Sequence, residues 1–253
     1  MPMGVPPLLS SLKVGEMNVA YLCDRGLHCE ENEDSILVDE REKLFVIADG
    51  MGGHHKGCVA STAVIDAFRN VSDFLEEERL ESFDEKGVEK ALEKYLNHEV
   101  VEATDKLFTY AQENAIEEVI GSTVVGIYQL PIFEKWALFH LGDSRVYHLS
   151  EQRLTQLTVD HMNSSSSNSV LSKAIGNFAA MPLEIDYIEP KVGDIFLLCS
   201  DGISDYCRND ELLELLLKYR SSLALFSHYL KELVYRRGAK DNLSLVVLVV
   251  GEA

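Results

Sequence analysis

The sequence predicts an α+β chain in which two packed sheets are flanked by helices. Three observations predict it. Short apolar runs of period two lie at both ends of the chain, two long stretches of helical period lie between them, and further helical stretches come late. Met17–Cys23 and Ser35–Val38 are expected strands, rich in β-formers, and a third, Lys43–Ala48, runs into the turn signal Asp49-Gly50. The period then changes: Ala60, Ala63, Val64, Ala67, Phe68, Val71, Phe74 and Leu75 recur at three and four, the stripe of an amphipathic helix. Glu76 to Glu85 is acidic and reads as a solvated connector. A second helix is expected beyond it, with Val88, Ala91, Leu92, Tyr95, Ala103, Leu107 and Tyr110 toward the core. From Ser122 the period returns to two, with strands expected at Ser122–Leu130, Lys135–Leu141, Arg145–Leu149, Arg153–Leu157, Leu183–Ile188 and Asp194–Cys199. Asp210–Lys218 and Leu223–Arg236 are expected helices, and Leu243–Val250 a closing buried strand. Asn163–Ser169 is a serine-rich loop with no local drive to fold.

The 253 residues are expected to form a single domain, 1–253, with enough core to hold without staples. Acidic residues number 42 against 23 basic, a net charge of −19, and a field of that sign excludes phosphate backbones and anionic membranes as general partners. The longest apolar runs, Ile195–Cys199 and Leu245–Val250, fall far short of the roughly 20 residues of a spanning helix. Met1–Lys13 has no basic start and no apolar core, so no secretory signal is expected. Five cysteines without C-x-x-C spacing fit a reduced, cytoplasmic chain.

Five aspartates fall at the ends of apolar runs beside turn residues: Asp34, Asp49, Asp143, Asp201 and Asp241. Singly, each is what a turn or a cap would carry. Together they would gather where strand ends meet, and carboxylates gathered without countercharge repel. Divalent cations resolve that conflict. Oxygen ligands select Mg²⁺ or Mn²⁺ rather than zinc, and glycines let a backbone carbonyl approach an ion. Two such ions, about 3.5–4 Å apart, are suited to phosphoester hydrolysis.

These residues lie in motifs that resemble the metal-dependent, type 2C Ser/Thr protein phosphatases, in order from about Cys23 to Val250. The motifs are Asp24-Arg25-Gly26 with Asn32-Glu33-Asp34, DGMGGH at 49–54, Gly57 with Ala60-Ser61, and Gly121-Ser122-Thr123. LGDSRVY at 141–147, Leu157-Thr158 with Asp160-His161, and Ala174-Ile175-Gly176 follow, then SDGISD at 200–205 and Asp241-Asn242. DGMGGH resembles the bacterial branch. The resemblance implies a four-layer αββα sandwich of two antiparallel sheets, and hydrolysis of phosphoserine or phosphothreonine by in-line attack of a hydroxide between two Mn²⁺ or Mg²⁺ ions. It implies metal ligation by Asp49, which would bridge, with the Gly50 carbonyl, Asp201, Asp241 and, through water, Asp34. Asp143 with Asp201 would hold a third ion, Glu33 would lie close by, and the Asn242 side chain would orient Asp241. It also implies a phosphoprotein substrate, an opposing Ser/Thr kinase, and a monomer.

The match departs from the family at three places. The family's phosphate-gripping arginine is here Cys29, and a thiol cannot replace a bidentate guanidinium. Arg25 and Lys56 are the nearby candidates for that contact; otherwise phosphate binding rests on metal alone. The mobile flap is replaced by the short stretch 162–169. Met51 stands where the animal branch has a histidine, which leaves His54 as the nearest candidate acid, with ordering of the glycine loop as its simpler role. The Cys29 substitution motivates an alternative: a phosphatase-like binding module with weak or no turnover.

Overall fold

The computed structural model describes residues 10–14, 17–52, 56–71, 73–74, 83–130, 133–163, 170–176 and 180–251. One antiparallel sheet runs β1 (Ser10–Val14), β2 (Met17–Asp24), β14 (Leu243–Val249), β13 (Ile195–Cys199), β8 (Arg145–Ser150) and β9 (Arg153–Gln156). The second runs β12 (Glu184–Ile188), β7 (Trp136–Leu141), β6 (Val124–Gln129), β4 (Leu44–Met51) and β3 (Asp34–Asp39), with the two-residue β5 (Gly121–Ser122) beside β4. A small pair, β10 (Met162–Asn163) and β11 (Val170–Leu171), stands apart.

Strand alternation builds three cores at once. On β4, Phe45 and Ile47 point between the sheets while Val46 and Ala48 point outward to the helices. On β13, Phe196 and Leu198 point inward between the sheets, and Leu197 and Cys199 point out. Both faces are dry, so these strands read as unbroken apolar runs. Helices α1 (Gly57–Phe68) and α2 (Glu85–Glu113) cover the second sheet. The one-turn α3 (Asp201–Ser204) adjoins β13 and β14, and α4 (Asn209–Tyr219) and α5 (Leu223–Arg236) cover the first sheet. Four layers result, the αββα sandwich that the resemblance implies.

Local chemistry sets several boundaries. Asp84 caps α2 by accepting the Gly87 N–H at 2.9 Å. The expected first helix ends at Phe68, yet Val71 and Phe74 still join its core; Leu75, with the rest of 75–82, lies outside the described residues. The single strand expected over 122–130 is broken at Thr123, whose N–H turns away from the ladder to the Asp49 carbonyl at 2.9 Å.

Candidate metal centre

Five strand ends deliver the predicted aspartates to one end of the sandwich. Asp34 opens β3 and stands opposite Asp49 in the β3–β4 register. From the other sheet, Asp201 follows β13 and opens α3, while Asp241 lies just before β14. Asp143 sits in the turn from β7 to β8, where the chain passes between sheets. Close approach fixes α3 against the Asp241-Asn242 turn: a Cβ on Gly202 would fall 1.8 Å from the Asn242 carbonyl oxygen. Gly50 is buried and donates its N–H to the Glu33 carbonyl at 3.2 Å.

Burial and crowding push these carboxyls up. Burial raises Asp34 to about 6, offset in part by hydrogen bonds and reinforced by Asp241 and Glu33. Burial, then Asp241 and Asp143, raise Asp201 to about 7. Asp49 is held well above its ordinary range by burial and then by Asp34 and Asp201, and Asp143 is raised by burial and then by Asp160. The charges acting on Asp34, Asp49 and Asp201 are other carboxylates. Serine side chains reach in: Ser200 Oγ donates to Asp34 Oδ2 at 2.9 Å, and Ser244 also favours the ionised carboxyl. Asp34 Oδ1 and Asp201 Oδ1 are buried without a partner. Orphaned carboxylate oxygens beside like charges are costly in an empty protein and suited to a hard divalent cation, so the residues fit Mg²⁺ or Mn²⁺.

The surrounding hydrogen bonds brace this ring. Thr123 Oγ1 accepts the Asp49 N–H at 3.1 Å and shares a hydrogen bond of 2.8 Å with Ser144 Oγ, linking the Asp49 and Asp143 turns. Glu33 Oε1 accepts the Gly57 N–H at 2.9 Å, tying α1 to the 32–34 turn. Asn242 differs from its expected role. Its backbone N–H donates to Asp241 Oδ1 at 2.8 Å, whereas its side chain accepts from Glu33 N–H and donates to the Arg25 and Glu31 carbonyls. An amide carries both a donor and an acceptor, which suits it to lace a loop rather than aim one carboxylate.

Three further candidates behave differently from the ring. Cys29 Sγ contacts the Lys240 carbonyl at 3.4 Å, and burial, then Asp241, raises its thiol, so it stays protonated. Arg25 Nη1 bonds the Glu30 carbonyl at 3.0 Å, and Lys56 pairs with Glu118 at 3.7 Å. His54 lies outside the described residues, as do 164–169 of the serine-rich stretch. Among the described residues, the group of three ligand side chains whose atoms lie within 4.8 Å of one another is not aspartate but His140, His161 and Glu184. Thr123, Ser200 and Glu184 carry no signal of a site in the sequence, since hydroxyls and carboxylates at strand ends look like ordinary turn residues.

A family profile described as Protein phosphatase 2C matches residues 24–244. The serine/threonine protein phosphatase PstP of Mycobacterium tuberculosis is 32% identical over 247 residues, 91% of this chain; the chain spans 44% of that protein's length. The serine/threonine phosphatase stp of Listeria welshimeri is 26% identical over 256 residues, covering 92% of this chain and 95% of its own. A crystal structure of the PstP catalytic domain in complex with two manganese ions superposes with a TM-score of 0.77 at 28% identity, covering 94% of this chain and 99% of that one.

Proposed function

The chain belongs to the protein phosphatase 2C family, and on that premise we propose that it is a bacterial, metal-dependent protein serine/threonine phosphatase. The observation that carries the reading is the ring of buried Asp34 and half-buried Asp49 and Asp201, in which Asp34 and Asp201 each have an orphaned oxygen and the charges raising all three are carboxylates. Asp49, Asp201, Asp241, Asp34 and the Gly50 carbonyl would hold two Mn²⁺ or Mg²⁺ ions, and Asp143 with Asp201 a third. Bound there, the ions supply Lewis acidity toward the phosphate and a water acidic enough to attack phosphorus at neutral pH.

The chain's own residues set the stage for that chemistry. Ser200 and Thr123 hold Asp34 and Asp49 in place through hydrogen bonds that need no countercharge. Asn242 locks the 25–33 loop against Asp241, so the rim where a phosphate enters is fixed by one side chain. Arg25 is engaged with the Glu30 carbonyl and Lys56 with Glu118, and Cys29 carries no charge, so the metal ions would dominate phosphate binding. The substrate class is a phosphoserine or phosphothreonine protein made by an opposing Ser/Thr kinase. No helix among the described residues is long and apolar enough to cross a membrane. Five free cysteines favour a reduced cytoplasmic setting, and we take the chain to act as a monomer.

The test is phosphate release from a phosphothreonine peptide at millimolar Mn²⁺, with Asp201→Asn as the control. Mn²⁺-dependent turnover lost in the variant is expected; equal rates in the two proteins would overturn the assignment. Cys29 favours a second reading, a phosphopeptide-binding module with weak turnover. That reading expects Mn²⁺-dependent capture of the peptide without release, and efficient turnover excludes it.

A further inference from the structure

The cluster of His140, His161 and Glu184 lies outside the aspartate ring and has the spacing of a zinc site. His140 on β7 pairs in register with Glu184 on β12. The ring of His161, just before β10, stacks on His140 at 4.9 Å. Its protons argue against a metal. The Gly142 N–H donates to His161 Nδ1 at 2.9 Å, so that nitrogen offers its lone pair and the neutral ring carries its proton on Nε2. Nε2 faces Glu184 Oε1 at 2.7 Å, the geometry of a donor to a carboxylate rather than of a ligand awaiting a cation.

The bonds instead describe a clamp. His161 also donates its backbone N–H to the Gly142 carbonyl at 3.0 Å, so Gly142 is held at both its donor and its acceptor. Gly142 has φ +127°, and a Cβ there would meet the Thr123 side chain at 2.6 Å, so the turn has one seat. Asp143 is the next residue. On the far side, Glu184 Oε1 also accepts from Lys173 Nζ at 2.9 Å. His161 precedes β10 and Lys173 follows β11, so one carboxylate ties down both feet of the segment that replaces the family's flap. Ser172 N–H to the His161 carbonyl at 2.8 Å closes the base.

We propose that His161 is a positioning residue whose Nδ1 and backbone N–H seat the Gly142-Asp143 turn and so set the affinity of the ion that Asp143 holds, while Glu184 ties the feet of the 162–171 segment to the same ring. The inference rests on the phosphatase reading, in which Asp143 is a metal ligand. It is tested with His161→Asn, whose amide can still accept from Gly142, and His161→Gln, whose amide can still reach Glu184 but leaves Gly142 unpaired. Metal-free amide exchange at Gly142 and Mn²⁺ calorimetry are the readouts, with the thermal midpoint followed alongside. His161→Gln should expose the Gly142 amide to exchange and weaken the weakest Mn²⁺ step by at least about tenfold, leaving the tighter steps intact. His161→Asn and Glu184→Gln should stay within about threefold. Unchanged Gly142 exchange, or an unchanged weak step, in His161→Gln overturns the clamp, as does a Zn²⁺ ion bound by the wild type and lost in His140→Gln. Asp143→Asn separates the two levels. If it leaves every Mn²⁺ step unchanged while Asp201→Asn abolishes binding, Asp143 is no ligand and the inference falls while the phosphatase reading stands.

Discussion

Asp201 illustrates how one side chain can oppose stability and serve function. Its buried carboxyl is raised to about 7 by burial and then by Asp241 and Asp143, and its Oδ1 has no partner. An amide in its place keeps the shape and removes the charge. Asp201→Asn should therefore lower turnover by at least about a thousandfold, yet raise the thermal midpoint of the metal-free protein by roughly 2–4 °C for each kcal/mol of repulsion relieved. Calorimetry in chelator and phosphopeptide kinetics check both halves; a lower midpoint would show that Asp201 holds the fold rather than the metal. Cys29 poses the reverse case. Its thiol sits against the Lys240 carbonyl beside Asp241, where a guanidinium would meet both carboxylate and phosphate. Cys29→Arg should lower KM for a phosphopeptide by about tenfold with kcat within twofold, because a grip made equally in ground and transition states acts on binding alone. An unchanged KM would show that phosphate is held entirely by the ions.

At the scale of elements, α3 is the least stable piece by itself and the most dependent on contact. Four residues cannot form a helix in isolation; Asp201–Ser204 does so because Gly202 lies flat against the Asn242 carbonyl. Gly202→Ala would put a methyl 1.8 Å from that oxygen, so Asp201 and Asp241 should be forced apart. We expect a loss of roughly 1–3 kcal/mol of stability and a Mn²⁺ affinity lower by more than tenfold, measured by denaturant titration and calorimetry. If Mn²⁺ affinity holds while stability falls, the contact braces the fold without setting the ligands. This contact also marks what the sequence could reveal. Strands dry on both faces, such as β13 and β14, announce themselves as apolar runs, and the aspartates at their ends stood out as turn residues that would converge. Elements made by their neighbours did not. β1 has the unpatterned sequence SSLKV, α3 is hidden in a turn motif, and the break at Thr123 exists because its N–H serves Asp49. The Asn242 side chain was expected at Asp241 because adjacency in sequence is visible, whereas the fold of the 25–33 loop onto it is not.

Across the whole molecule, two sets of carboxylates give stability opposite slopes in different pH windows. Glu184, pulled to about 2 by His161 and Lys173, and Glu211, pulled to about 2 by Arg237 and the Arg208 amide, have folded values below their ordinary 4.5. Their contribution is present above 4.5 and fades as pH falls toward 2; Glu184 is exposed and Glu211 lies half-buried at the surface, so it is small. The site aspartates run the other way. Asp34 and Asp201 titrate near 6 and 7 instead of 3.8, and Asp49 and Asp143 are raised as well. Between about 4 and 7 the folded chain holds protons that the unfolded chain has released, so stability falls as pH rises. His140, kept neutral by burial, opposes this trend below 6.5, one group against four. The metal-free protein should therefore be most stable near pH 4, where the two trends cross, with a thermal midpoint roughly 5 °C lower at pH 8. Added Mn²⁺ reverses the slope, because protons and cations compete for the same oxygens and the cation wins once the protons leave. Its stabilisation should be small at pH 5 and several times larger at pH 8, measured by calorimetry at fixed ionic strength so that screening of the −19 net charge stays constant. A Mn²⁺-induced shift independent of pH would mean that the cation binds elsewhere on this acidic surface, leaving the buried ring to be explained some other way.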